Sequence, residues 1–183
     1  MKRLILLRHA KSDWSGPLSH DKERPLNKRG KSAASMLGSY IRIKQLKPDL
    51  VFCSSATRTR ETWKQLQKAS GLLLNANYID SLYGGNINSV LSLIRSISDP
   101  HCSNVMIVGH NPCIQETALE LNQDCESVFA QKIEEKVPTG SLITLDFDIQ
   151  AFAHVSLNTG KITNFIRPKH ELIAALNSKK TKL

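Results

Sequence analysis

Three apolar runs in this 183-residue chain end in residues that could do chemistry on an anion. Leu4–Leu7 stops at Arg8-His9, Leu50–Cys53 leads into Ser54-Ser55-Ala56-Thr57-Arg58, and Val105–Val108 stops at Gly109-His110. Arg8 and Arg58 each offer a planar fork of N–H donors that matches two oxygens of a phosphate group. Histidines beside such cations are disfavoured in their charged form, and a neutral imidazole is a competent nucleophile toward phosphorus. A strand-end histidine taken singly is most often a hydrogen-bonded structural residue, and a terminal basic pair is commonly solvated. Three such groups at equivalent positions argue instead for a shared anion pocket. His9, Arg8, Arg58 and His110 are the candidate catalytic residues, with Arg8, Arg58 and His110 as candidate phosphate binders. Arg60 competes with Arg58, but two residues along a helix is a turn of about 200°, which puts Arg60 on the surface.

These groups can meet only if the runs that carry them are strands of one sheet. Lys2–Leu7 is nearly continuous in apolar character, the pattern of a strand buried on both faces. A polar loop with Gly16, Pro17 and Pro25 leads to a helix starting near Asn27, a residue able to cap it. Ala33, Leu37, Tyr40, Ile41 and Lys44 mark one face of that helix. Pro48 closes the unit, Asp49–Ser54 reads as the next strand, and Thr57–Ala69 reads as a second helix followed by Gly71. Ile79–Tyr83 reads as a short extended piece, and Ile87, Val90, Leu91, Ile94 and Ile97 mark another amphipathic helix. Asn104–Gly109 is a strong buried strand, after which Asn111 and Pro112 are expected as helix cap and first helical residue. Ser141–Phe147, Gln150–Leu157 and Lys161–Ile166 all look strand-like.

Strands alternating with helices predict a three-layer α/β/α sandwich. Its central sheet is mainly parallel, covered by helices on both faces, with an antiparallel edge. In such sheets ligands gather beyond the C-terminal strand ends, where Arg8-His9, Arg58 and His110 all fall. No repeat or linker interrupts the chain, so a single domain is expected over residues 1–173, with a basic, flexible tail over 174–183.

Composition removes several classes of function. Apolar residues make up 40% and charged residues 22%, an ordinary globular profile, and no apolar run is long enough to span a bilayer. The opening MKRLILLRHAKSD pairs basic residues with an apolar run too short for a secretory signal, and is expected to be the first strand of a cytoplasmic protein. Cys53, Cys102, Cys113 and Cys125 lack CxxC spacing and are expected as reduced, mostly buried thiols. The six histidines show no HxxxH or paired-ligand spacing, so no metal is expected. A net charge of +9 suits a phosphorylated substrate or an acidic protein partner. Nucleic acid is the weaker choice, because no recognition module and few aromatics for base stacking are present.

The segments LLRHAKSDW, SSATRTRET and VGHNP resemble the three signature segments of the histidine phosphatase superfamily, the phosphoglycerate-mutase-like group. RHAKSDW, RPLNKRG and the short length are most similar to its SixA-like phosphohistidine phosphatases. The resemblance runs from Lys2 to about Pro168 and implies the phosphoglycerate-mutase-like fold. It implies that His9 is the nucleophile and becomes transiently phosphorylated, while Arg8 and Arg58 bind phosphate. His110 would complete the pocket and support the transition state. No metal or cofactor is implied, because the arginines supply the compensating charge. Reaction would proceed by in-line attack of His9 and then hydrolysis of the phosphohistidine by water.

One departure bears on the substrate. Many superfamily members carry a glutamate after the third strand that protonates an alcohol leaving group. The corresponding NYIDSLYGGN contains none, with Asp80 its one carboxylate. Asp80, Asp13 and Asp21 are weak candidates for an acid, Asp80 reading more simply as a turn or cap residue. Asp21 with Arg24 and Pro25 matches a D-x-x-R-P-L run, read as a loop-fixing ion pair in preference to a substrate contact. Pro138-Thr139-Gly140 reads as a turn bordering the pocket, and Trp14, Trp63 and Phe129 read as packing or lid residues. The leading expectation is a metal-independent phosphatase acting on protein phosphohistidine. A phosphatase of small phosphoesters, such as sugar phosphates or nucleotides, is the enzymatic alternative, and a non-catalytic phosphate-binding adaptor the other. No membrane partner is expected, and no oligomeric state is specified.

Overall fold

Alternation along the first strand decides the architecture. In β1, Lys2–Arg8, the side chains of Leu4 and Leu6 enter one core and those of Ile5 and Leu7 another. Successive residues leave a strand on opposite faces, so an apolar run demands cover on both. On the Ile5/Leu7 face that cover comes from α1 (Lys28–Lys44) and α2 (Thr57–Ser70), through Leu37, Ile41, Trp63 and Leu66. On the Leu4/Leu6 face it comes from α3 (Ile87–Arg95), α4 (Cys113–Leu121) and α5 (Val128–Glu135), through Val90, Ile94, Ile114 and Ile133. The result is the expected three-layer sandwich, in a computed structural model that describes residues 1–15 and 18–168. Gly16, Pro17 and the 174–183 tail lie outside the described residues.

The remaining strands are β2 (Leu50–Ser54), β3 (Asn77–Ile79), β4 (Asn104–Gly109), β5 (Leu142–Phe147) and β6 (Gly160–Ile166). They stand in the order β3-β2-β4-β1-β5-β6. The first four are parallel, while β5 and β6 form the antiparallel edge. Because β4 lies between β2 and β1, the three strands that end in polar groups are immediate neighbours. No helix among the described residues is long and apolar enough to cross a membrane.

Two features hold the segment after β1 against α1. Asn27 caps the helix, its side-chain oxygen accepting from the Gly30 N–H at 2.9 Å, and its own N–H donates to the Lys11 carbonyl at 3.1 Å. A Cβ on Gly30 would lie 2.1 Å from the Lys11 oxygen, so only glycine permits this approach.

Several sequence expectations are corrected by tertiary packing. The buried face of α1 carries Ala34, Leu37, Gly38 and Ile41 rather than Ala33, and Lys44 is exposed. After β3 the chain turns into a 3₁₀ segment, Asp80–Leu82, which buries Leu82 where a longer extended piece was expected. Helix α4 begins at Cys113, not Pro112, and its cap is Pro112 with no side-chain bond. Asn111 does not cap, because its amide donates instead to Gln115 at 2.8 Å. Gln150–Leu157 forms no strand: it contains a 3₁₀ turn, Phe152–His154, with Phe152 and Val155 plugged into the core. Helix α5, with Ala130 and Ile133 as its buried residues, was not anticipated.

Candidate active site

Strand register explains why two histidines meet. Arg8 pairs with Gly109 across β1 and β4, and neighbouring strands lie about 4.8 Å apart. The next residue on each strand is a histidine, and the rings of His9 and His110 stand 5.0 Å apart between centroids. The His9 N–H donates to the Gly109 carbonyl at 2.9 Å, which locks the two strand ends together.

Ala10 fixes the tautomer of His9, and the Ser54 hydroxyl bears on that of His110. His9 Nδ1 lies 2.8 Å from the Ala10 carbonyl, which can only accept, so Nδ1 carries the proton and Nε2 keeps its lone pair. His110 Nε2 lies 2.9 Å from the buried Ser54 hydroxyl at the end of β2. With Ser54 donating, His110 Nδ1 becomes the N–H, and that buried nitrogen has no partner among the described residues. Burial, more than any neighbour, pushes His9 down to about 3 and His110 down to about 4. Arg58 and Arg8 push both rings in the same direction, and each histidine is therefore neutral at physiological pH. The sequence points to the arginines as the cause of this neutrality; depth in the fold is the larger one.

The cations arrive from three directions. Arg58 is buried in the first turn of α2, its Nη1 donating to the Asp21 carbonyl at 2.7 Å and its Nη2 to the Asp21 carboxylate at 3.1 Å. Tyr83 donates its hydroxyl to the same carboxylate at 2.9 Å, and Arg24 pairs with it at 2.9 Å. Arg8 donates through Nη1 to the Val137 carbonyl at 2.5 Å, and burial lowers its pKa. The Nε atoms of Arg8, Arg24 and Arg58 are buried without a partner among the described residues, as is Nη1 of Arg24. An unsatisfied buried donor costs about 1–3 kcal/mol, so a fold that keeps several beside two histidines is arranged for an anionic acceptor.

Thr62 ties the segment after β1 to α2. Its hydroxyl donates to the Arg58 carbonyl at 2.6 Å and accepts from the Ala10 N–H at 3.0 Å. Gly140, at φ +80°, donates its N–H to the carbonyls of Arg8 (3.1 Å) and His9 (2.9 Å), so the Pro138–Gly140 turn abuts the strand end. Ser54, Thr62 and Tyr83 were not singled out from the sequence, although Ser54 and Thr62 bracket the SSATRTRET segment.

Other candidates fall elsewhere. Arg60 is exposed, its guanidinium 5.0 Å from the Tyr78 ring centroid. Asp80 is exposed and bonded to Lys22 at 2.6 Å and to Ser55; Lys22 first, then Ser55, hold its carboxyl below the usual range. Asp13 is lowered chiefly by the Ser15 N–H, 2.9 Å away. Burial pushes Asp21 up, but the Tyr83 hydroxyl and the Arg58 and Arg24 guanidiniums outweigh it and hold it low. Trp63 is a core residue, Phe129 packs on the core, and exposed Trp14 stacks on Arg24 with 3.4 Å from guanidinium to ring centroid. Cys53, Cys102 and Cys113 are buried and Cys125 is exposed. Two cavities share residues with this cluster. One of about 1000 Å³ is lined by Arg8, and one of about 530 Å³ by Arg58, Tyr83, His110 and Glu116.

Residues 4–82 match the histidine phosphatase superfamily (branch 1). A solved SixA protein from Agrobacterium tumefaciens, to which phosphohistidine phosphatase activity is ascribed, is 30% identical with a TM-score of 0.75; the match covers 91% of this chain and 98% of that one. An uncharacterised protein of Mycobacterium leprae is 32% identical over 167 residues, 89% of this chain and all of its own length. The chain spans 59% of an uncharacterised chloroplastic protein of Arabidopsis thaliana, 36% identical over 129 residues, or 66% of this chain. Matching segments, sheet order and paired strand-end histidines agree: this chain belongs to the histidine phosphatase superfamily and is a hydrolase of that type.

Proposed function

We propose that the protein hydrolyses phosphohistidine on a protein substrate, with His9 as the transient phosphate acceptor. The observation that carries this reading is a buried, neutral His9 whose Nδ1–H is tied to Ala10, next to unpartnered donors of Arg8, Arg58 and His110. In the first displacement the His9 Nε2 lone pair attacks phosphorus in line with the departing nitrogen. The substrate P–N bond breaks, its electron pair stays on the departing imidazole, and that ring leaves neutral because its other nitrogen already carries a proton. Arg8, Arg58 and the His110 Nδ1–H compensate charge on the phosphoryl oxygens. Water then attacks the phosphorus of phospho-His9, and inorganic phosphate leaves with Nε2 restored as a lone pair.

The carboxylates support this leaving group. Asp13, Asp21 and Asp80 are all held in their ionised form, so none of them is poised to protonate an alkoxide. A departing imidazole needs no such acid. The likeness to the Agrobacterium SixA protein points the same way. One feature favours a second reading: Glu116 lines the smaller cavity with Arg58 and His110, where a carboxyl could serve an alcohol leaving group of a small phosphoester.

The two readings separate in a direct assay. Wild-type protein is given a phosphohistidine peptide, a phosphoserine peptide of the same sequence and p-nitrophenyl phosphate, with EDTA present throughout. The proposal expects kcat/KM for phosphohistidine to exceed that for phosphoserine by about 100-fold or more. Equal or reversed preference moves the substrate to the phosphoester class, and loss of all turnover in EDTA contradicts the metal-independent route.

A further inference from the structure

We infer that the groove beyond Arg8 is a docking surface for an acidic, partly apolar segment of the phosphorylated protein, an inference that rests on the phosphoprotein reading above. The groove has a volume of about 1000 Å³, and Arg8 connects it to the nucleophile. Its charged lining is Arg8, Lys11, Lys28, Arg29, Lys136 and Arg167, with no aspartate or glutamate among the described residues. These cations come from four separate parts of the chain: the end of β1, the start of α1, the loop after α5 and the segment after β6. Lys11, Lys28, Arg29 and Lys136 are exposed, and none makes an ion pair among the described residues.

Lys28 and Arg29 occupy an unfavourable place for the fold itself. They sit in the first turn of α1, which holds no acidic residue. The helix dipole favours anions at that end, so two cations there weaken the helix unless an external anion answers them. Between the charges the lining is mainly apolar, with Ala33, Met36, Pro138 and Pro168 beside the hydroxyls of Ser32 and Thr139. A basic rim over an apolar floor suits a segment with acidic residues flanking an apolar face, and methionine lets such a floor adapt to its partner.

Other occupants fit less well. No aromatic side chain among the described residues lines the groove, so a nucleic acid strand finds no stacking platform there. The residues after Pro168 carry four lysines against one glutamate, so this chain's own end has the wrong charge.

The test uses two helical phosphohistidine peptides of about 20 residues, alike except that one bears glutamate and the other glutamine at its exposed positions. Wild-type protein is expected to process the glutamate peptide with a kcat/KM about tenfold higher, by steering and binding, and the preference should shrink as salt rises from 50 to 300 mM. In the triple variant Lys28→Glu, Arg29→Glu, Lys136→Glu the preference should disappear or invert, while turnover of p-nitrophenyl phosphate stays unchanged and thermal stability is kept or raised. Equal treatment of both peptides by the wild type, or a preference that survives in the variant, overturns the inference. Binding of the unphosphorylated glutamate peptide, followed by fluorescence anisotropy, reads the groove without turnover. Tight, salt-sensitive binding by wild type and not by the variant sustains the groove even if phosphohistidine proves not to be hydrolysed, and absence of binding refutes it. A single-stranded oligonucleotide of equal length that binds wild type more tightly than the peptide also refutes it.

Discussion

The cavity lined by Arg58 and His110 and the groove lined by Arg8 are built on opposite principles. Beside Arg58 and His110, about 530 Å³ is framed by groups that hold one another: Asp21 braces Arg58, Arg24 and Tyr83, and Ser54 fixes the His110 ring. Beyond Arg8, about 1000 Å³ is rimmed by lysines and arginines, with no carboxylate among the described residues lining it. The first arrangement fixes geometry, which in-line attack at phosphorus demands. The second holds Lys11, Lys28, Arg29 and Lys136 without an ion pair among the described residues, and such charge attracts a partner without fixing it. On the function and docking surface proposed above, chemistry belongs to the first cavity and recognition to the second, and substitutions in the two should behave differently.

Arg58→Ala should break the first side most severely. On the proposed mechanism it removes a phosphate-binding cation, and it leaves the Asp21 carboxylate with less compensation. A fall in kcat of about 100- to 1000-fold is expected on every substrate, small or large. A loss confined to the acidic peptide would place Arg58 with the recognition surface instead.

Ser54→Ala is a gentler probe of the same side. Without the hydroxyl, His110 Nε2 loses its donor and the proton can move to that nitrogen, taking it from Nδ1. About a tenfold lower kcat with little change in KM is expected. The ¹⁵N spectrum of His110 should show the tautomer change, a signal that simple loss of packing would not produce.

The smallest effects are read in titration. Both rings should stay neutral from pH 8 down to pH 5 in ¹⁵N NMR, since His9 is held down to about 3 and His110 to about 4. The sign for stability follows. Below pH 6.5 the unfolded chain takes up protons that the folded rings refuse, so stability falls with pH through that window toward about 4. A protonation midpoint near 6.5 for either ring would mean that the site is solvated rather than buried.

Much of this site was legible in the sequence, for a particular reason. A buried parallel strand is a conspicuous apolar run, so the polar residue that ends it is conspicuous too, and Arg8-His9 and Gly109-His110 stand out. The α/β alternation likewise announced the sheet and its antiparallel edge. The supports of the site had no such signature. Ser54 and Thr62 are ordinary hydroxyl residues until β2, β4 and α2 are brought together, when each meets a neighbour from another element. Depth was also invisible, which is why positive charge was credited with a shift that burial dominates. Gln150–Leu157 looked strand-like through its apolar residues, yet Phe152 and Val155 are buried by a turn that local pattern cannot foresee.

On the mechanism proposed above, phosphate passes through His9. Wild-type protein should be mixed with ³²P-phosphohistidine peptide, quenched in alkaline denaturant within milliseconds, and digested for mapping. The account predicts an acid-labile, alkali-stable label on the fragment that contains His9, and no label and no turnover in His9→Ala. Label on a different residue, or undiminished turnover in His9→Ala, would contradict it.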